Sequence, residues 1–204
     1  MAESPSVDPW TYVVTDIEVD GAWPGPNSMR SFASVAIDAE GRELGTFEAV
    51  LASLPGALPN PDTLAWFQTQ PEAWAAATTD PEPPDTVMHA FAAWVGTLPG
   101  RAVFAASPLA FDGTWIDYYL RRFTAFGLAQ GPYEQDRLFP GAGLCIRSYA
   151  SAVVGRPAAE IGPRNLDPRW LGNVEHTHRA IDDARGYANL LAELFRQVAA
   201  RTLP

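Results

Sequence analysis

Strand-like segments come first in this chain, and helical and strand-like segments alternate after them. Apolar stretches bounded by turn residues predict strands at 12–16, 31–37 and 44–51. The Pro- and Gly-containing loop 21–28 and the turn at Glu40-Gly41 separate these strands, which favours an antiparallel meander. Apolar residues at helical spacing follow, with a short apolar strand at 102–106 among them. This order predicts an α/β protein in which helices flank a mixed sheet.

Helix signals recur through the rest of the chain. Asp62 is expected to cap a short helix, and Asp85 precedes a longer apolar face. Residues 144–154 are predicted to form one helix that ends at Gly155. The last helix is expected to run over residues 178–201.

Length and composition indicate one globular domain. The chain has 204 residues, of which 47 % are hydrophobic and 19 % charged. Residues 1–10 are expected to be an N-terminal tail and residues 11–204 a single domain. No apolar run approaches the roughly 18 residues of a membrane span, and residues 1–10 do not resemble a secretory signal. We therefore expect a cytoplasmic protein without a membrane partner. Its single cysteine excludes an internal disulfide.

The charge is unevenly distributed along the chain. The net charge of −10 is unusual for a protein that binds nucleic acid. Residues 1–120 contain 3 Arg and 16 acidic residues, whereas residues 121–204 contain 11 Arg and 8 acidic residues. Every basic residue is Arg, whose fork of donors suits phosphate. This pattern fits a local phosphate-binding surface, and it equally fits Arg-favouring codon usage.

Two acidic residues end the first predicted strand. Because side chains alternate along a strand, Asp16 and Glu18 point to the same side. Two neighbouring carboxylates repel each other unless a cation neutralises them. Hard oxygen ligands of this kind suit Mg²⁺ or Mn²⁺. A solvated strand end is the alternative interpretation.

A second acidic residue of interest follows the strand at 102–106. Asp112, preceded by Phe111, opens the helix that is marked by Trp115 and Tyr119. Asp112 is either a further metal ligand or the N-cap of that helix.

The third signal lies at the start of the last helix. At roughly 100° per residue, Asp182 falls on the polar face, whereas Asp183 falls on the flank of the apolar stripe. A carboxylate on a core-facing flank needs a partner, and a metal shared with the first motif would supply one. His178 precedes Asp183 by about one turn and is expected beside the same ion. His176 and His89 are expected to be structural.

Taken together, these three motifs resemble those of the DnaQ-like DEDDh exonucleases, which include polymerase proofreading subunits, RNase T and oligoribonuclease. The order is D-x-E, then F-D, then a histidine separated by four residues from the last aspartate, and the motifs extend over nearly the whole chain. The spacing His-x4-Asp is typical of the histidine branch. The resemblance implies a ribonuclease H-like fold with a mixed five-stranded sheet. The residues that carry it are Asp16, Glu18, Asp112, His178 and Asp183.

The resemblance also implies a mechanism. Two divalent cations, Mg²⁺ or Mn²⁺, would be held with Asp16 between them, Glu18 and Asp183 on the nucleophile side and Asp112 on the other. His178 would act as general base. The expected reaction is 3′–5′ hydrolysis of single-stranded RNA or DNA ends to nucleoside 5′-monophosphates. A homodimer is compatible with this resemblance.

The substrate-binding region departs from the family pattern. Ser107 to Ala110 contain no Asn, which many relatives carry three or four residues before the Phe-Asp motif, and segment 21–30 is longer than usual. Aromatic side chains are the expected stacking partners of terminal bases. The candidates are Trp23, Phe32, Trp66 and Phe67.

Two other functions remain open at this point. A phosphatase with an Asp nucleophile usually carries D-x-D followed by a hydroxyl residue, whereas this chain has D-x-E and Asp20. A non-catalytic binding module on the same fold typically lacks one acidic ligand, whereas all four are present here.

Overall fold

The computed structural model describes residues 9–131 and 133–202. Most of the predicted tail, residues 1–8, lies outside this part of the chain. The described residues form a five-stranded mixed sheet, in the order β3-β2-β1-β4-β5. β1 pairs antiparallel with β2 and β2 with β3, whereas β1 pairs parallel with β4 and β4 with β5. The strands are β1 Trp10–Val19, β2 Met29–Ile37, β3 Glu43–Val50, β4 Arg101–Ala106 and β5 Leu144–Cys145.

Helices flank this sheet, as the sequence predicts. Those in the described part of the chain are α1 Pro61–Gln68, α2 Pro71–Thr78, α3 Pro84–Thr97, α4 Leu109–Phe123, α5 Ile146–Val154 and α6 Ala180–Thr202. Three short 3₁₀ turns interrupt the loop between α5 and α6. No helix among the described residues is both long enough and apolar enough to cross a membrane.

Two local expectations were wrong. Asn60, not Asp62, caps α1: its side chain accepts hydrogen bonds from the backbone N–H groups of Asp62 and Thr63. The predicted helix 144–154 begins only at Ile146, because the two preceding residues pair with β4 as strand β5. The helix does end at Gly155, which adopts the left-handed conformation.

The two faces of the sheet bury different sets of helices. Val13 and Ile17 of β1 pack on the face covered by α3 and α4, together with Trp115 and Tyr119. Val14 of β1 points to the opposite face, where the apolar side chains of α5 and α6 cover the sheet. Because side chains alternate along a strand, Asp16 and Glu18 point to the same face as Val14, towards α6.

The topology brings the three motifs to the same end of the sheet, where β1 and β4 have their carboxyl ends. The parallel pairing of β1 with β4 ends at Val14 and Ala105, and β1 continues beyond it for five residues. At the same end, β4 leads directly into α4, while the beginning of α6 packs across β1 and β2. The carboxyl ends of parallel strands are a common location for ligand sites in α/β proteins.

Candidate active site

The carboxylates of the first motif lie on the part of β1 that extends beyond its parallel pairing with β4. In register, Asp16 is opposite Ala33 of β2 and Glu18 is opposite Ser31. Glu18 is only 8 % exposed, whereas Asp16 retains partial contact with solvent. Two acidic side chains therefore lie side by side on a largely apolar strand.

Asp112 lies in the first turn of α4 and does not cap it. The N-cap position is Pro108, and Asp112 is the fourth residue of the helix, only 4 % exposed. Burial raises the pKa of Asp112 to about 7, against the opposing effects of backbone N–H groups, including that of Ile17, and of the Arg147 guanidinium. The N-cap interpretation of Asp112 was therefore wrong.

α6 supplies a further buried carboxylate. Asp183 is 4 % exposed, and a carboxylate oxygen from each of Asp183, Asp16 and Glu18 lies within 4.8 Å of the others. The neighbouring Asp182 instead turns outward: it accepts a hydrogen bond from the Thr177 hydroxyl at 2.8 Å and lies 3.9 Å from Arg179. The two adjacent aspartates thus have different surroundings, as the helical wheel predicts.

Two histidines stand beside Asp183. Nδ1 of His176 lies 2.8 Å from Oδ1 of Asp183, whereas the His178 ring packs edge-on against Trp66, with ring centroids 5.0 Å apart. One ring nitrogen from each histidine and one Asp183 oxygen lie within 4.8 Å of one another. Contrary to the expectation from the sequence, His176 is part of this cluster. His89 lies elsewhere, on the surface of α3 beside the Asp85 carbonyl.

The electrostatics of the site favour protonation of Asp16 and Glu18. Burial, followed by the charges of Asp183 and Asp112, raises the pKa of Glu18 to about 9. Burial and the three neighbouring carboxylates raise the pKa of Asp16 well above its usual value. Burial also lowers the pKa of His178, with a further contribution from His176. A cation would relieve this repulsion between like charges.

The set of potential ligand atoms fits a divalent cation. Oδ1 of Asp183 is buried, and it has no aligned hydrogen-bond donor among the described residues, although His176 Nδ1 is within ion-pairing distance. An unsatisfied buried carboxylate oxygen is costly and is suited to a metal. The surrounding oxygens of Asp16 and Glu18 are the hard ligands that Mg²⁺ and Mn²⁺ prefer. Asp112 lies near enough for its charge to act on Asp16 and Glu18.

Two residues that the sequence did not single out adjoin the carboxylates. The Tyr187 hydroxyl hydrogen-bonds to Ser107, and burial together with the charges of Asp16 and Asp183 raises its pKa. Tyr187 lies one turn after Asp183 on the same flank of α6, so the helical wheel could have found it. Arg147 is the second residue of α5, and its Nε is buried without a hydrogen-bond partner among the described residues. The two-residue strand that positions Arg147 gives no recognisable sequence signal.

The four aromatic candidates for base stacking have different locations. Phe32 is fully buried between Phe47 and Phe91, and Phe67 is 1 % exposed. Both belong to the apolar interior, so assigning them to base stacking was wrong. Trp66 is 43 % exposed beside His178, and Trp23 is 71 % exposed in the loop after β1.

Comparisons with known proteins find similarity in structure only. No protein-family model matches the chain, and no curated protein sequence matches it. Exonuclease I from E. coli in complex with a dT13 oligonucleotide is similar over 94 % of this chain and 42 % of that chain, with 15 % identity and a TM-score of 0.66. The nuclease domain of 3′hExo, a DEDDh family member bound to rAMP, is similar over 94 % of both chains, with 11 % identity and a TM-score of 0.62.

A 3′-exonuclease that specifically recognises the 3′ end of a histone mRNA stem-loop has a TM-score of 0.63 at 9 % identity, over 95 % of this chain and 84 % of that chain. The chain described here spans less than half the length of the exonuclease I structures that it matches. At these identities the similarity concerns the fold. The chain therefore has the ribonuclease H-like fold that these exonuclease structures share.

Proposed function

We propose that this protein is a metal-dependent 3′–5′ exonuclease that hydrolyses single-stranded RNA or DNA ends to nucleoside 5′-monophosphates. The observation that carries the proposal is the cluster of buried carboxylates from β1 and α6, with Asp112 of α4 beside it, on a fold shared with DEDDh nucleases. A non-catalytic relative would not be expected to retain buried carboxylates that repel one another.

The proposed metal ligands are Asp16, Glu18, Asp112 and Asp183. Their buried oxygens, and the unsatisfied Oδ1 of Asp183 in particular, support the binding of Mg²⁺ or Mn²⁺. When bound, two such ions supply an activated water and charge stabilisation for displacement at a phosphate. In this proposal the chain's own contribution is to hold four carboxylates close together, three of them buried, where a cation relieves their mutual repulsion.

His178 is the proposed general base. A base must be unprotonated at the working pH, and burial and the neighbouring His176 both lower the pKa of His178. Its ring rests against Trp66, next to the Asp183 carboxylate. From there His178 would accept the proton of the attacking water, while Asp183 would help to orient the imidazole.

Trp66 and Trp23 are the proposed contacts for the terminal bases. Both are exposed, and Trp66 touches His178, so a base stacked on this indole would place the last phosphodiester near the carboxylates. A homodimer and a cytoplasmic location remain predictions of the sequence.

The test is a digestion panel of RNA and DNA oligomers labelled at either end, with Mg²⁺ or Mn²⁺. We expect 5′-labelled strands to shorten progressively and 3′-labelled strands to release labelled mononucleotide at once. A 3′-phosphate should block or slow the reaction. Asp16→Asn, folded but inactive, is the control for a contaminating nuclease. Release of inorganic phosphate instead of nucleotide would favour a phosphatase and contradict the proposal.

A further inference from the structure

Asp183 belongs to two groups of potential ligands. On one side lie the oxygens of Asp16 and Glu18, and on the other lie the imidazoles of His176 and His178. In each group the ligand atoms are within 4.8 Å of one another. The proposed exonuclease site uses the first group and leaves His176 without a role.

The histidine side is already assembled in the metal-free protein. The two imidazole rings meet edge-on, with centroids 4.6 Å apart, and His176 Nδ1 lies 2.8 Å from Asp183 Oδ1. That buried oxygen has no aligned donor among the residues described by the structure. Tetrahedral coordination with bonds of about 2.0–2.1 Å requires ligand atoms about 3.3 Å apart. The His176–Asp183 pair would therefore have to open by about 0.5 Å to admit an ion, in a cluster whose ligand atoms all lie within 4.8 Å of one another.

The segment that carries both histidines is held in place. The hydroxyl of Thr177, which lies between them, donates a hydrogen bond to Asp182 on α6. The His176 side chain keeps 34 % of its surface exposed, which gives an ion access from solvent and leaves room for a water as fourth ligand. Arg164 is the nearby positive charge that opposes cation binding, since it acts on His178.

We infer that His176, His178 and Asp183 form a Zn²⁺ site, which shares Asp183 with the carboxylate site but draws its other two ligands from the histidines. Two imidazoles and one carboxylate with an open fourth position are a ligand set that suits zinc, whereas carboxylate oxygens suit Mg²⁺ and Mn²⁺. Zinc bound there would withdraw His178 from its proposed role as general base and would occupy an oxygen of Asp183. This consequence, inhibition by zinc, rests on the proposed function; zinc binding itself does not.

The binding test uses the full chain and three variants. The chain contains only three histidines, so His89→Gln is a matched control that removes an imidazole far from the cluster. Calorimetric titration with Zn²⁺ should give one site in the parent and in His89→Gln. His176→Gln should weaken this site by at least about tenfold, because one of three protein ligands is lost. Asp16→Asn should keep zinc affinity within about threefold while losing affinity for Mn²⁺.

Substitution with Co²⁺ gives a signature that a structural role of His176 would not produce. We expect the visible absorption of four-coordinate Co²⁺ in the parent and in Asp16→Asn, and its loss in His176→Gln. A sulfur-to-cobalt charge-transfer band would instead assign the ion to Cys145 and overturn the inference. Equal zinc affinity of His176→Gln and the parent would overturn it as well.

The inhibition test is separate. With activity normalised to each protein's own zinc-free rate, the parent should be inhibited by Zn²⁺ at concentrations at least about tenfold lower than His176→Gln, matching the difference in affinity. If the protein has no nuclease activity, the proposed function fails while the calorimetric and spectroscopic results still decide the zinc site. Equal zinc sensitivity of the two active proteins would contradict inhibition through the histidine site.

Discussion

At the scale of single residues, position relative to the core separates side chains that are chemically alike. Asp182 and Asp183 are adjacent, but only Asp183 is buried against the β1 carboxylates. The wheel of α6 predicts this difference because helical periodicity alone fixes which side faces the sheet. The same reasoning could not foresee His176, since it lies before α6 in an irregular loop where no periodicity applies.

We expect Asp183→Asn to abolish nearly all hydrolysis and Asp182→Asn to leave most of it. Asp183 contributes its oxygen to the carboxylate cluster, whereas Asp182 lies outside that cluster and accepts a hydrogen bond from Thr177, worth about 1 kcal/mol of stability. Steady-state rates with Mn²⁺ compare the activity of the two variants, and urea denaturation compares their stability. Equal loss of activity in both variants would show that the assignment to Asp183 is wrong.

His178→Ala is expected to lower kcat by roughly 10²–10⁴, the range found when a general base is removed. His89→Ala is the matched control, because its exposed imidazole lies outside the cluster and hydrogen-bonds to the Asp85 carbonyl of its own helix. The two variants should have similar melting temperatures. A kcat for His178→Ala within a factor of about three of the control would exclude a general base at this position.

At the scale of secondary-structure elements, those with strong hydrophobic periodicity could be predicted from the sequence, whereas short or packed elements could not. The bounds of β1, β2 and β3 were predicted to within a few residues, since each ends at turn residues. β5 was missed because two residues carry no pattern. In α1, the side chain of Phe67 is buried and that of its neighbour Trp66 is exposed, a difference that composition cannot predict.

This contrast within α1 gives an element-scale prediction. Phe67→Ala should reduce the free energy of unfolding by about 3–5 kcal/mol, as for other buried aromatic side chains. Trp66→Ala should change stability much less and instead raise KM, by an amount equivalent to the roughly 1–3 kcal/mol of a stacked base. Denaturant unfolding and steady-state kinetics separate the two effects. An unchanged KM in Trp66→Ala would remove this residue from the proposed substrate contacts.

At the scale of the whole molecule, the fold holds acidic side chains together in a protein that is already acidic, with a net charge of −10. Repulsion between these negative charges therefore destabilises the folded state at neutral and alkaline pH, unless cations bind. The overall α/β architecture was predictable from the order of elements. The proximity of Arg147 to Asp112 was not, because it depends on where strand β5, paired with β4, places the start of α5.

The metal-free protein should lose stability as the pH rises. The pKa of Glu18 is raised to about 9 and that of Asp112 to about 7, so the folded state binds more protons than the unfolded state. Their contribution to stability is complete below about pH 4 and is lost as the pH rises towards about 9. Melting temperatures in EDTA between pH 6 and pH 9 should therefore fall.

Glu18→Gln should flatten this pH dependence and raise the melting temperature at pH 9, whereas Glu48→Gln, an exposed carboxylate on β3, should not. Saturating Mn²⁺ should stabilise the parent at pH 8 by mass action and Glu18→Gln less. A parent melting temperature that rises from pH 6 to pH 9 without metal would contradict the raised pKa values.

The central claim is that the carboxylate cluster acts only on a strand that presents a free 3′ end. The most direct measurement compares one single-stranded sequence in linear and in circular form, with Mn²⁺, and identifies the products by mass. We predict that the linear strand is converted to nucleoside 5′-monophosphates, that the circle remains intact, and that Asp16→Asn leaves both unchanged. Cutting of the circle by the parent but not by Asp16→Asn would show an endonuclease and contradict this account.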